Sequence, residues 1–396
     1  MKKGASRSFR QAGAVSLFVV VFAAMLLTVV TVSFVRTMVQ DQMQASAQDL
    51  SQSAYDSAQA GVQDAIRAVL QYVNACNDSE QATRCSEIRQ TIPNWNNCNA
   101  ALGTVSGIQV TNGEVAIQQL NSSDADASLD QAYTCVKVNM DVDNVLGQLQ
   151  MNQTKIIPLV SLGDFSSLRL NWYSRDDVND PNNPPTSLTF PQLNGSNGLV
   201  SSDVWNKTNN VPPMIRAQII ILDEDGFTLN DFNTTEGSST VFLYPATSGT
   251  QSVDFPARLS ASAAQPIASA CLSSIPSGGY ACGVDLKLPE SAGGGTKKVA
   301  YLQIEPLYAS TSFEVVLKKD GADGPSFNGV QVEIDSTGRA NDLFRRVSTR
   351  VDLMNNSFPF PASSLNVSAG NFCKNFAVTN STDDYAAINA GNTCTP

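Results

Sequence analysis

The most constraining feature of this 396-residue chain is the run from Ala14 to Val35, which contains no charged residue. At about 1.5 Å per residue it extends about 33 Å as a helix, enough to cross the hydrocarbon core of a bilayer. Lys2, Lys3, Arg7 and Arg10 precede it, only Arg36 follows closely, and every acidic residue lies at or beyond Asp41. By the positive-inside rule the short N-terminus stays in the cytoplasm, and the expected location is a single-pass cytoplasmic-membrane protein with an extracytoplasmic C-terminus. A cleaved secretory signal is the alternative. Its apolar region is usually only about 7 to 15 residues and ends in small residues, whereas Ser33-Phe34-Val35-Arg36 follows here.

The helix is expected to continue past the membrane. Thr37 to Val73 has no proline and one glycine, Gly61. Leu50, Ala54, Ala58, Val62, Ala65, Val69 and Val73 form a stripe at threes and fours, while Gln48, Asp49, Gln52, Asp56, Gln59, Gln63 and Asp64 take the other side. This predicts one helix of roughly 60 residues, about 90 Å long, half in lipid and half packed on a domain.

A short basic leader, a glycine, an apolar helix and an amphipathic extension together resemble the type IV pilin-like proteins. Arg10-Gln11-Ala12-Gly13-Ala14-Val15-Ser16-Leu17 is similar to a prepilin cleavage site, and the stretch Ala54 to Ala65 resembles that of PilX-type minor pilins. The resemblance covers about residues 1 to 75 and implies processing between Gly13 and Ala14 by a prepilin peptidase. It also implies packing against other pilins through the N-terminal helix, with Phe18, Ala54, Ala58, Gly61 and Val62 as helix-packing positions, and display on the cell surface. Major pilins carry glutamate at the fifth mature position, where this chain has Phe18. In that respect it resembles the tip pseudopilin of type II secretion, which implies a tip or initiating position. The competing reading is a signal-anchored adhesin or binding module outside any filament, its small residues serving only to pack the stalk.

Eight cysteines all follow the apolar segment: Cys76, Cys85, Cys98, Cys135, Cys271, Cys282, Cys373 and Cys394. With no CxxC pair and no histidine in the chain, a zinc site has little to build on, and disulfides in an oxidising compartment are expected. Eight cysteines allow on the order of 100 pairings, so connectivity stays open; Cys271 with Cys282 and Cys373 with Cys394 are the most local choices. The net charge of -11 repels phosphate backbones and argues against nucleic acid.

Beyond Val73, short alternating runs between Asn, Gly, Pro and Ser predict β structure, giving an α+β fold: a long transmembrane and amphipathic helix, then a β-rich, disulfide-containing head. Expected segments are a leader at 1–13, a transmembrane helix at 14–35, its amphipathic continuation at 36–74, and a pilin-like β region at 75–162. A larger β-rich head at 163–360, as insertion or second domain, and a disulfide-containing C-terminal region at 361–396 complete the chain. Thr111-Asn112-Gly113-Glu114 suits a tight turn between Gly107–Val110 and Val115–Ile117. Val136 to Val142 and Leu168 to Trp172 alternate, and Val330, Val332 and Ile334 match Val347, Thr349, Val351 and Leu353 across a link at 335–341. Ile215–Leu222, Val241–Tyr244 and Ala300–Leu302 read as buried strands, and Phe313–Leu317 as an edge strand.

Without histidine the usual Ser-His-Asp and Cys-His sites are unavailable, no GxSxG elbow occurs, and Gly293-Gly294-Gly295-Thr296-Lys297-Lys298 lacks phosphate-loop spacing and reads as a hairpin tip. The expectation is a protein that is not an enzyme and has no cofactor. One exception is calcium, for which Asp223, Asp225 and Asp231 offer hard oxygen ligands, as do Asp176, Asp177 and Asp180; ordinary acidic turns are the competing reading. Arg345, Arg346 and Arg350 read as the charged outer face of a strand.

Overall fold

A computed structural model describes residues 12–117, 130–190, 205, 210–223, 238–255, 266–296 and 298–353. The fold is α+β: one long helix followed by a β-rich region carrying three disulfides among the described residues. It divides into two compact units, 1–142 with 331–353, and 143–330. The boundary falls at Val142/Asp143 instead of near 162, and the larger β domain is an insertion. The 163–360 division is corrected accordingly: residues 331–353 supply two strands to the first unit's sheet and belong with it.

In the first unit, α1 (Ala12–Asn77) is unbroken, as expected from a stretch lacking proline. A short helix, α2 (Ala82–Thr91), doubles back and is tied to the end of α1 by Cys76–Cys85. The sheet runs β1 (Val115–Ala116), β2 (Gln131–Val142), β14 (Phe327–Ala340), β15 (Leu343–Asp352). Val136, Val138, Met140 and Val142 are buried while their neighbours are less so, so the alternation in β2 is that of a half-buried strand. Val62, Ala65 and Val69 of the helix join Val136, Val138, Val332 and Ile334 of the sheet in one core with Trp95 and Leu102.

Asn99 closes this core. Its φ is 60°; its backbone N–H donates to the Val136 carbonyl at 2.8 Å, its side-chain oxygen accepts from the Val136 N–H at 2.8 Å, and its amide donates to Gly113 and Thr134 carbonyls. One buried amide thus acts as a piece of missing strand beside β2, next to the Cys98–Cys135 bridge.

The Asn112-Gly113 turn forms with both residues at positive φ (54° and 84°), as a primed turn requires. Only one arm is a strand: β1 pairs with β2, whereas 107–110 stays irregular. The expected link at 335–341 is also different, because β14 runs on to Ala340 and turns at Asn341-Asp342. Ser336, Gly338 and Ala340 continue the inward alternation with small side chains, so strand burial persists where hydrophobicity fades.

Among its described residues the inserted unit holds two sheets. The first comprises β13 (Ala322–Asp323), β12 (Thr311–Lys319), β5 (Asp164–Trp172), β10 (Cys282–Gly293) and β8 (Ser252–Asp254), with β3 (Asn144–Leu149) also on β12. The second runs β4 (Lys155–Pro158), β11 (Lys298–Leu307), β6 (Met214–Asp223), β7 (Ser238–Ala246), β9 (Ile267–Ala270). Phe313, Val315 and Leu317 are buried in an interior strand flanked by β3 and β5, correcting the expected edge. The glycine run is no hairpin tip: β10 and β11 lie in different sheets, and Gly293 and Gly294 turn the chain between them at positive φ. A Cβ on Gly294 would meet the Asp164 nitrogen at 2.5 Å. Between the sheets, buried Trp172 donates its indole N–H to the Pro213 carbonyl at 3.1 Å.

Candidate functional site on the first helix

The helix α1 has two surfaces of different chemistry. From Leu17 to Asp49 every residue is exposed, including Leu17, Phe18, Phe22, Leu27 and Phe34. Such a face is stable only when lipid or other apolar helices cover it. Its hydroxyls are satisfied within the helix: Thr28 donates to the Met25 carbonyl at 2.8 Å, Thr31 to Leu27 at 2.8 Å and Ser33 to Val29 at 2.9 Å. Between Leu17 and Val35 no hydroxyl therefore asks for water. The segment is one long apolar N-terminal helix of the kind a membrane anchor or a signal sequence requires.

From Leu50 onward the stripe turns inward. Ala54, Ala58, Ala65 and Val69 are buried, while Gln48, Asp49, Gln52, Asp56, Gln59 and Gln63 are exposed. The small residues permit close approach. A Cβ on Gly61 would run into Ser336 Oγ, would lie 2.8 Å from Val136 Cγ2, and would lie 3.1 Å from the Tyr133 ring. Reciprocally, Gly338 of β14 sits on the helix backbone, where a Cβ would overlap Ala58 N and Ala54 O. Tyr133 donates its hydroxyl to Asp64 at 2.8 Å, and Arg67 holds the same carboxylate at 3.0 Å. Burial, then the bond to Asp64, pushes the Tyr133 phenol well above its ordinary range.

Of the residues singled out by sequence, Ala54, Ala58, Gly61 and Val62 form this interface, and Phe18 is exposed on the opposite half of the helix. Gly13 and Ala14 lie in the first turn of α1, with residues 1–11 outside the described part. Three cystines form: Cys76–Cys85, Cys98–Cys135 and Cys271–Cys282; Cys373 and Cys394 lie outside the described residues.

Asp225 and Asp231 are also outside the described residues, while Asp223 pairs with Lys298 at 3.0 Å. Asp177 accepts from Ser174 N–H and from the N–H and hydroxyl of Ser312, and Asp180 accepts from the Asn182 N–H, so both carboxylates cap turns. Among the described residues no group of three or more Cys, Asp or Glu is arranged to hold a metal. The β15 arginines are engaged too: Arg346 with Asp335, Arg350 with Glu333 at 3.4 Å, and Arg345 with the Ser51 hydroxyl at 2.8 Å.

Gly338, Tyr133 and Asn99 were not apparent from sequence. The one available signal was a glycine inside an alternating strand, which marks close backbone approach. No family model, curated protein or solved structure matches the chain.

Proposed function

We propose that this protein is a minor pilin- or pseudopilin-like subunit that acts in the assembly or at the tip of a type IV pilus or related filament and displays its β-rich head for surface contact. One observation carries the proposal. A single 66-residue helix is exposed and uncharged from Leu17 to Val35, and from Leu50 onward it packs closely on a sheet by way of Ala54, Ala58 and Gly61. A helix built this way serves as an anchor before assembly and as a packing element afterwards, because lipid and neighbouring apolar helices satisfy the same surface.

In this reading Gly13 and Ala14 flank the processing site, and the other partners are the prepilin peptidase, further pilins, membrane lipid and a host or abiotic surface. The head lies outside the cytoplasmic membrane, where its cystines persist. Phe18 occupies the position at which an entering subunit would offer a carboxylate to the free amine of the subunit above. A first subunit has no such neighbour, which supports a tip or initiating place. The protein's work is structural contact and not catalysis.

The test is the N-terminus and mass of the mature protein in sheared filaments and in membranes. The expected result is a chain beginning at Ala14 in the filament fraction. An intact N-terminus confined to membranes overturns the proposal in favour of a membrane-anchored binding module.

A further inference from the structure

The strand β15 forms one border of the first unit's sheet, and among the described residues nothing pairs with its outer side. At ten residues it is longer than the other border strands, β1, β3, β4, β8, β9 and β13, which have two to six. Its pairing with β14 runs without interruption from Ala340–Leu343 to Gln331–Asp352, and Leu343 to Asp352 contains neither proline nor glycine. Such a border offers its backbone to other chains, and proteins normally shorten, bulge or interrupt it.

The register decides which groups are offered. Asn341 and Asp342 are the whole turn, so Ala340 and Leu343 exchange hydrogen bonds with each other; the alternative pattern would need the adjacent Asn341 and Asp342 to bond. Bonded and non-bonded positions alternate along an antiparallel pair. Leu343, Arg345, Val347 and Thr349 therefore point their N–H and C=O groups at β14, while Phe344, Arg346 and Ser348 point theirs outward. All three of the latter are exposed, Phe344 to 55%.

Charged side chains commonly guard an edge, but here they are drawn back over the fold. Arg346 pairs with Asp335 of β14, and Arg345 donates to the Ser51 hydroxyl of α1 at 2.8 Å. Arg345 thus keeps its full charge beside a neutral acceptor. Leu343 to Thr349 carries these two cations and no acid. A second β15 laid alongside would bring like charges together, so the strand suits an acidic partner and not another copy of itself.

We infer that the outer border of β15 takes up an extended acidic segment of another protein as an added strand. Backbone bonds to Phe344, Arg346 and Ser348 supply the affinity. A carboxylate beside Arg345 replaces a neutral acceptor with a charged one, and an apolar side chain beside Phe344 covers the exposed ring. This goes beyond the proposed filament role and its test requires no filament, so either can fail alone.

The full-length chain in lipid nanodiscs is titrated, with anisotropy as readout, with a short dye-labelled peptide that alternates valine with glutamate. Two further versions carry lysine in place of glutamate, or are N-methylated at every residue. The glutamate peptide is expected to bind about tenfold more tightly than the lysine peptide, and the N-methylated one, which keeps the side chains but loses the backbone donors, is expected not to bind. On the protein, Ser348→Pro removes an outward N–H without touching the β14 ladder and should weaken binding about tenfold, while Ser348→Ala leaves it unchanged. Should Ser348→Pro fail to fold, the N-methylated peptide decides, because it leaves the protein intact. No binding of the glutamate peptide, equal binding of the lysine peptide, or binding that survives N-methylation overturns the inference.

Discussion

Gly338 of β14 rests on the backbone of α1 at Ala58, so closely that the strand has no space for a side chain there. The helix and the sheet are therefore in backbone contact at this point, with Ala54 and Ala58 as the matching small residues on the helix.

Gly338→Ala is expected to cost about 3 kcal/mol, because the atoms in the way are backbone and cannot rotate aside. Gly61→Ala should cost less, about 1 to 2 kcal/mol, since Ser336 Oγ and Val136 Cγ2 belong to side chains that can yield. Gly103, helical and with nothing near its missing Cβ, is the control: Gly103→Ala should be neutral or stabilising by about 0.5 kcal/mol. Chemical denaturation of the three variants checks the ranking.

Tyr133→Phe removes the donor to Asp64, a bond to a charged acceptor across the helix–sheet interface, and is expected to cost about 1.5 to 3 kcal/mol at neutral pH. The raised Tyr133 pKa sets a pH signature. Its stabilising effect is complete below the unfolded value near 10.0 and is lost as pH rises towards the higher folded value. Wild type should therefore lose more stability than Tyr133→Phe on going above pH ~10; parallel alkaline curves for the two proteins would refute this.

Asp177 behaves in the opposite sense from a surface aspartate. Burial pushes its carboxyl above the usual range, and the bonds from Ser174 and Ser312 counteract that only in part. Its titration thus favours folding below the ordinary value of 3.8, and the benefit fades as pH rises through the folded value. The stability gap between wild type and Asp177→Asn should narrow or reverse as pH rises above about 4. Asp177→Ala, which leaves the Ser174 and Ser312 N–H groups without this acceptor, should cost about 2 to 3 kcal/mol near pH ~4 and less as pH rises.

Opening Cys98–Cys135, which closes a separation of 37 residues, should cost about 4 kcal/mol, against about 3 kcal/mol for Cys271–Cys282 with a separation of 11. Denaturation of the paired Cys→Ser variants tests the order. Peptide mapping without reduction tests the pairings, and a Cys98 peptide linked to any partner other than Cys135 would contradict the fold.

The sequence by itself determined those features that depend on neighbours along the chain. Helical spacing set which side of α1 is buried, from Leu50 to Val73, because a helix places i, i+3 and i+4 on one face whatever it packs against. Alternation likewise marked the inward sides of β2, β5 and β6, and Asn112-Gly113 marked its turn through the need for positive φ. The local bridge Cys271–Cys282 was legible for the same reason.

Tertiary structure alone decided what joins distant segments. The borders of the insertion at 143–330 were hidden because a domain border is set by which strands pair, and β14 pairs across nearly two hundred intervening residues. Phe313–Leu317 carried the pattern of any half-buried strand, and only its neighbours β3 and β5 made it interior. Gly338 lies in the stretch whose sequence reads as a link, and only the helix backbone over it makes a glycine necessary there. The hydrogen bonds that join Asn144, Glu314, Asn171, Arg169 and Asp285 were likewise invisible, since these residues meet only when β3, β12, β5 and β10 bring them side by side.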